Sequence, residues 1–159
     1  MAKSKRDGAD ETARQIAGAF VARGNECAFN NLKVVTRVLT AVYDEELRPV
    51  GLRASQLALL WAIHAAEPVE LSRLASITFT DQTTLSRTIA TLRRSGLVGV
   101  RAGTDRRVRI LSLTAAGRAR FAAAMPLWES AQRRAGDWLP LAGIAGIARK
   151  VRNAARAAA

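Results

Sequence analysis

The chain places arginines around a single acid in the stretch SGLVGVRAGTDRRVRILSLTAAG, residues 95–117. Apolar and polar residues partly alternate on both sides of the loop AGTD, which predicts a β-hairpin. The guanidinium group binds phosphate with two parallel hydrogen bonds and also recognises the edge of guanine. The hairpin therefore suggests recognition of a polyanion by Arg106 and Arg107. Asp105 is placed to hold one of these arginines in position before binding, which lowers the entropy lost on binding.

A second group of candidate binding residues lies just before the hairpin, in DQTTLSRTIATLRRSG. Leu85, Ile89 and Leu92 recur at helical spacing and predict a buried face, with Thr80 or Asp81 as the N-cap. The opposite face is polar at first and then basic, and no acid follows Asp81. The side chains on it that suit base edges or phosphates are Gln82, Thr83, Thr84, Ser86, Arg87 and Arg94.

Charge is distributed unevenly along the chain. Residues 1–81 carry 10 basic and 10 acidic side chains, whereas residues 82–134 carry 11 arginines against two acids, a net charge of +9. A neutral half joined to a strongly basic segment favours a nucleic acid as the partner of that segment, and a solubilising basic face is the alternative. Phosphate contact or plain surface charge are the two interpretations of Arg93, Arg94, Arg101 and Arg109.

The pattern also predicts the scaffold that positions these residues. VELSRLASI and DQTTLSRTIATLRRSG are two helices joined by TFT, a helix-turn-helix, and the hairpin after them is a wing. The second helix of such a motif enters the DNA major groove, and an arginine on the wing can enter the minor groove. The predicted fold is mainly α (α+β), with further helices over residues 10–24, 30–51, 53–66, 115–136 (with a kink expected at Pro126) and 137–159.

We predict three segments. Residues 54–113 form a winged helix-turn-helix DNA-binding lobe, and residues 1–50 and 114–159 supply a helical dimerisation lobe from both termini. The apolar, alanine-rich terminal helices cannot hide their faces within one chain, which favours a homodimer.

Over residues 29–135 the chain resembles the MarR family of winged-helix transcription regulators. The matching stretches are RVLTAVYDEELRPVGLRASQLALLWAI, ELSRLA, DQTTLSRTIATLRRSGLV and DRRVRILSLTAAG. The most specific feature is a wing Asp-x-Arg, here Asp105-x-Arg107, followed by Leu-Thr-x-x-Gly, here Leu113 to Gly117. The resemblance implies a homodimer on a pseudo-palindromic site in double-stranded DNA. It also implies control by a small ligand or by oxidation, and we predict a repressor that an anionic or aromatic effector releases.

The resemblance further implies a ligand pocket between the first, second and fifth helices of the family fold. The residues of this chain that could line it are Arg37, Tyr43, Trp61, His64 and Trp128. Ordinary packing with satisfied polar tips is the alternative for each of them.

Cys27 is the only cysteine, so an intramolecular disulfide is excluded. Two interpretations stay open: a redox-sensing thiol, and a small apolar residue at a dimer interface. In a peroxide-sensing branch of the same family the reactive cysteine aligns two positions later, where this chain has Phe29. The position of a nearby tyrosine in that branch is taken by Lys33.

Other classes of protein find little support. The sequence has no metal-ligand cluster, no glycine-rich phosphate loop and no catalytic constellation, so we expect no cofactor and no enzyme activity. No apolar run approaches the roughly 18 residues of a membrane span, and the N-terminus lacks the apolar core of a signal peptide, so we expect a cytoplasmic protein without a membrane partner. The alternative from another class is a nucleoid-type protein that coats DNA of any sequence.

Overall fold

The computed structural model describes Gly24, residues 26–105 and residues 107–157. Residues 10–23 of the first predicted helix and the wing residue Arg106 lie outside the described residues. In chain order the elements are α1 (Ala28–Leu47), a 3-10 turn (Arg48–Val50), α2 (Ala54–Ala66), β1 (Val69–Glu70), α3 (Leu71–Thr78), α4 (Gln82–Arg94), β2 (Val98–Ala102), β3 (Arg109–Leu113), α5 (Ala115–Gly136) and α6 (Leu141–Ala157).

The chain divides into two compact units, residues 1–39 and residues 40–159. The described part of the first unit is mostly the N-terminal half of α1. The second unit contains the predicted helix-turn-helix and wing, which confirms the mainly α winged-helix fold. Its core is aliphatic, and the largest fully buried side chains are Leu47, Leu60, Ile63, Leu74, Leu85, Leu92, Leu111 and Val69.

The ends of α4 follow from local chemistry. The carboxylate of Asp81 accepts a hydrogen bond from the backbone N–H of Thr84 at 2.8 Å, so Asp81 and not Thr80 is the N-cap. At the other end Gly96 adopts a φ of +70°, and the N–H of Leu97 reaches the carbonyl of Leu92 at 2.9 Å. This hydrogen-bond pattern is a Schellman motif, which a residue with a β-carbon disfavours at the glycine position.

The sheet has three antiparallel strands in the order β1-β3-β2. Val98 pairs with Leu113 and Val100 with Leu111, while Val69 of β1 pairs with Leu111 from the other side. The sequence predicts Val69 and Glu70 as the start of the helix VELSRLASI, but these two residues form β1 and the helix begins at Leu71. A strand of two residues is too short to show alternation in the sequence. This short strand ties the start of the helix-turn-helix directly to the wing.

Several predicted boundaries are wrong. The helix predicted over residues 30–51 ends at Leu47, where a 3-10 turn that contains Pro49 follows. The sequence predicts that the returning wing strand begins at Arg106, but β3 begins at Arg109. The residues before it take part in the backbone hydrogen bonds of the loop, such as that from Val108 to Asp105. The sequence predicts that the last helix begins at Asp137, but α6 begins at Leu141. The carbonyl of Pro140 accepts its first helical hydrogen bond, from the N–H of Ile144. The predicted helix over residues 115–136 is present as α5, which continues as one helix through Pro126.

Candidate nucleic-acid interface

The surface of α4 has the division of faces that its sequence predicts. Leu85, Ile89 and Leu92 are buried. On the other face, Gln82, Thr83, Thr84, Arg87 and Arg94 are exposed and Ser86 is half-buried. The side chain of Arg94 is directed along the helix, since its guanidinium donates to the hydroxyl of Thr91 at 3.2 Å. The exposed face of α4 thus presents hydrogen-bonding groups at its start and positive charge at its end.

Asp81 is the one acid at the start of this face, and its carboxylate already accepts a hydrogen bond from the backbone N–H of Thr84. Hydrogen bonds from Thr84, first of all from its backbone N–H, hold the pKa of the Asp81 carboxyl below its usual value. The carboxylate also lies at the positive end of the helix dipole. Asp81 therefore opposes an approaching phosphate less than a free carboxylate would.

The tip of the wing is a hydrogen-bonded loop. The N–H of Gly103 donates to the carbonyl of Val108 at 2.8 Å, and the N–H of Val108 donates to the carbonyl of Asp105 at 2.9 Å. The Asp105 carboxylate accepts a hydrogen bond from the backbone N–H of Arg107 at 2.8 Å. Asp105 and Arg107 are both exposed. Asp105 thus fixes the backbone from which the Arg107 side chain projects. The sequence predicts instead that the Asp105 carboxylate holds an arginine side chain.

The Leu-Thr-x-x-Gly motif joins the wing and α4 to α5. Thr114 donates from its backbone N–H to the carbonyl of Leu97 at 3.1 Å and from its hydroxyl to the carbonyl of Gly96 at 2.6 Å. The same hydroxyl accepts the N–H of Gly117 at 2.9 Å and so caps α5. A β-carbon at Gly117 would lie 2.0 Å from the carbonyl oxygen of Leu97, so only glycine fits there. The motif is thus a structural joint beside the DNA-binding elements.

A second joint is formed by Glu67, which the sequence analysis did not single out. Its carboxylate accepts the backbone N–H of Leu113 at 2.7 Å and the guanidinium of Arg118, and it lies 3.6 Å from Nδ1 of His64. Partial burial alone would raise the pKa of Glu67. The hydrogen bonds from Leu113, Arg118 and His64 and the positive charge of Arg118 outweigh that effect and lower it. Glu67 therefore links α2, the end of the wing and α5.

Three of the predicted pocket residues meet in one aromatic cluster. The ring centroids of Trp61 and Trp128 are 5.2 Å apart, and Phe121 lies 5.7 Å from Trp61 and 5.0 Å from His64. Trp61 is 41% exposed, so the cluster reaches the surface. Sequence analysis missed Phe121, although its seven-residue spacing from Trp128 places both on one face of α5.

The other two pocket candidates and Cys27 have separate surroundings. The hydroxyl of Tyr43 donates to the side-chain oxygen of Gln132 at 2.6 Å, and burial raises the Tyr43 pKa. In the first unit, Arg37 lines a cleft of about 550 Å³ together with Lys33 and Val34. Cys27, in the same unit, is exposed just before α1.

Neither a metal site nor a membrane-spanning helix occurs in the part of the chain that the structure describes. The described residues include no group of three His, Cys, Asp or Glu side chains placed to hold a metal ion. None of their helices has both the length and the apolar character needed to cross a membrane.

Comparisons with known proteins agree with this geometry. The sequence model of the MarR family matches residues 50–108. The HTH-type transcriptional regulator YwoH of Bacillus subtilis is 28% identical over 90 residues, which cover 57% of this chain and 66% of that protein. The transcriptional regulator MosR of M. tuberculosis, solved in complex with DNA, is 34% identical, with a TM-score of 0.73 over 83% of this chain and 98% of its own. A mutant MarR of E. coli, solved with operator DNA, shares the fold at 21% identity, with a TM-score of 0.72 over 80% of this chain and 96% of its own. From the matched motifs, the winged-helix geometry and the extent of the likeness to MosR, the chain belongs to the MarR family of transcriptional regulators.

Proposed function

We propose that the protein is a sequence-specific repressor that binds a pseudo-palindromic operator in the cytoplasm as a homodimer and is released by a small ligand. The observation that carries the proposal is the exposed polar and basic face of α4 beside a wing with Arg107 at its tip. Side chains of this kind on a second helix suit the edges of bases in the major groove. The structural neighbours solved with DNA, among them MosR and the 22% identical CouR, support DNA as the partner.

A second copy of the chain is the partner that we propose for the terminal helices. In the first unit, α1 exposes Phe29 and Leu32 on one side, where they are 72% and 58% exposed, and Val34 and Val38 on another, where they are 61% and 44% exposed. In the second unit, α6 exposes Ile147 and Val151. Exposed large apolar side chains on neighbouring turns of a helix are typical of interaction surfaces. A dimer would present two α4 helices to two half-sites one helical turn apart.

For the effector we propose the aromatic cluster of Trp61, His64, Phe121 and Trp128 as the binding region. Flat rings that meet edge to face and open to the surface can accept another ring, and His64 beside them offers a polar contact. Glu67 lies 3.6 Å from Nδ1 of His64 and accepts a hydrogen bond from the backbone N–H of Leu113 at the end of the wing. A ligand at the cluster would therefore have a physical connection to the DNA-binding elements. A planar aromatic acid is the ligand class to screen first, by quenching of tryptophan fluorescence in the wild type and in Trp61→Ala.

The deciding experiment is a selection of bound sequences from random double-stranded DNA, followed by affinity measurements at physiological salt. We expect the selected sequence to bind at least about a thousandfold tighter than a scrambled duplex of equal length. Arg107→Ala should lose about 1–3 kcal/mol of that specific binding, whereas Arg48→Ala, which removes an exposed arginine from the 3-10 turn, should not. Equal binding to all sequences would contradict the proposal and identify a general DNA-coating protein.

The thiol of Cys27 is exposed, so a redox-sensing regulator is the alternative to test. If oxidation of this thiol controls the protein, peroxide should release the wild type from the selected DNA and leave Cys27→Ser bound. Identical behaviour of the two proteins would exclude that alternative.

A further inference from the structure

The turn between α3 and α4 contains a residue whose backbone is unfavourable for its type. Phe79 has a φ of +50° and ends α3 by donating its N–H to the carbonyl of Ala75. Residues with a β-carbon disfavour this left-handed conformation, and a bulky one is an outlier there. Helix-turn-helix turns often use glycine. The sequence of this chain has phenylalanine instead.

Packing in the folded chain gives no reason for that choice. The Phe79 side chain is 51% exposed, and the neighbouring Ile77 is 37% exposed. The core beneath the turn is filled by other residues of the same two helices, Leu74 and Leu85, which are fully buried. A large apolar side chain held in a disfavoured backbone conformation and left half in water is an outlier from which a functional role can be inferred.

The surroundings of Phe79 indicate which partner would cover it. Phe79 and Ile77 line an open cleft of about 640 Å³ together with other residues of α3, the turn and the start of α4, and with one residue of α6. These other residues include Arg73, Asp81, Gln82 and Ala155. Gln82 is the first residue of α4 and one of the candidate DNA contacts. A duplex approached by the start of α4 would therefore meet Phe79 as well. The apolar group that a duplex displays in its major groove is the C5 methyl of thymine, and phenylalanine is one of the side chains that contact it.

We propose that Phe79 is a specificity-determining residue that packs against the methyl group of a thymine in each half-site of the operator. The inference rests on the proposed function, because it needs a protein that docks α4 in the major groove. Removal of the methyl group should weaken binding by about three- to fourfold at that position, the value expected for one buried carbon group.

The experiment replaces the thymines of the selected operator by deoxyuridine, one position at a time, and measures the affinity of three proteins. The wild type should lose about three- to fourfold at one symmetric pair of positions. Phe79→Asn should bind the thymine operator more weakly and be insensitive to deoxyuridine at that pair. Asparagine tolerates a positive φ, so this variant should unfold at the same or a higher temperature than the wild type. Phe79→Leu keeps an apolar side chain and should retain part of the sensitivity.

Thymines at all other positions provide the control, because deoxyuridine there should affect the wild type and Phe79→Asn equally. The inference is overturned if Phe79→Asn binds as tightly as the wild type. It is also overturned if the loss in Phe79→Asn is the same on scrambled DNA, or if no deoxyuridine effect disappears in this variant. In each of these cases a wild type that still prefers its selected operator leaves the proposed function standing. A wild type without any preferred sequence overturns both.

Discussion

At the scale of single residues, Gly117 lies where a side chain cannot be accommodated. Its missing β-carbon leaves room for the carbonyl of Leu97, and that carbonyl accepts the N–H of Thr114. Gly117→Ala forces the two backbones apart, and we expect a loss of about 1–3 kcal/mol in the free energy of unfolding, the usual range for overpacking. Urea denaturation followed by circular dichroism measures it.

Gly146 provides the matched control for that substitution. It lies within α6, and a β-carbon there meets nothing within 4 Å. Because alanine is the better helix former, Gly146→Ala should stabilise the protein by about 0.5–1 kcal/mol. Similar effects of the two substitutions would show that the contact with Leu97 does not matter.

Glu67 should make stability depend on pH. Its folded-state pKa is lowered by Leu113, Arg118 and His64 against the opposing effect of burial. The stabilisation is therefore complete above the unfolded-chain pKa, near 4.5, and is lost as the pH falls through the lower folded-state value. We expect Glu67→Gln to lose about 1–3 kcal/mol at pH 7, because it removes the charge from a hydrogen-bonded carboxylate that is only 14% exposed.

Urea denaturation of Glu67→Gln and the wild type at several pH values between 7 and 3 tests this prediction. The difference between the two should shrink below pH 4.5, the usual pKa of a glutamate. Glu70→Gln serves as the control, since Glu70 is exposed and its carboxylate accepts only a long bond, 3.4 Å, from Ser72 among the described contacts. A gap between Glu67→Gln and the wild type that stays constant down to pH 3 would contradict the assignment.

At the scale of elements, the role of Asp105 in the wing has two explanations. Its carboxylate restrains either the backbone of the loop or an arginine side chain. The structure has its carboxylate on the backbone N–H of Arg107, a contact that asparagine can also make through its side-chain oxygen. Asp105→Asn should therefore keep operator affinity within about threefold, whereas Asp105→Ala should lose the turn and weaken specific binding by about 1 kcal/mol, the typical value of one hydrogen bond. Titration of the selected operator with both variants measures the difference. Equal losses would instead indicate that the charge of Asp105 restrains an arginine side chain.

The elements also show which features the sequence could predict. The buried face of α4 follows from the spacing of Leu85, Ile89 and Leu92, because a helix of 13 residues gives a period long enough to recognise. The two-residue strand β1 and the hydrogen-bonded loop before Arg109 have no period. The joint at Glu67 depends on contacts with Leu113 and Arg118, which are 46 and 51 residues away in the chain. A local sequence pattern cannot predict contacts between residues so far apart in the chain.

The candidate site was predictable to a similar degree. The exposure of Gln82, Thr83 and Arg87 follows from the same helical period that buries the opposite face. The meeting of Trp61, His64 and Trp128 could be expected only through the family resemblance, and Phe121 at the centre of the cluster was missed. From the sequence, Phe79 belongs only to the turn TFT, because a positive φ is a property of the folded chain and has no local sequence signal.

At the scale of the whole molecule, the prediction concerns assembly. The proposed dimer needs the side of α1 that carries Val34 and Val38, which are 61% and 44% exposed. Val34→Arg would bury a charge in that interface, and a buried charge without a partner is strongly unfavourable. We expect the variant to be a monomer in sedimentation equilibrium at concentrations where the wild type is a dimer.

The same variant links assembly to DNA binding. A monomer can occupy only one half-site, so Val34→Arg should bind the full operator no more tightly than an isolated half-site, whereas the wild type should prefer the full operator strongly. Ala58→Arg adds the same charge at an exposed position of α2 and should leave both the dimer and its operator affinity unchanged. If Val34→Arg remained a dimer with full affinity, the side of α1 with Val34 and Val38 would not be the interface. The exposed side of α6 with Ile147 and Val151 would be the next to test.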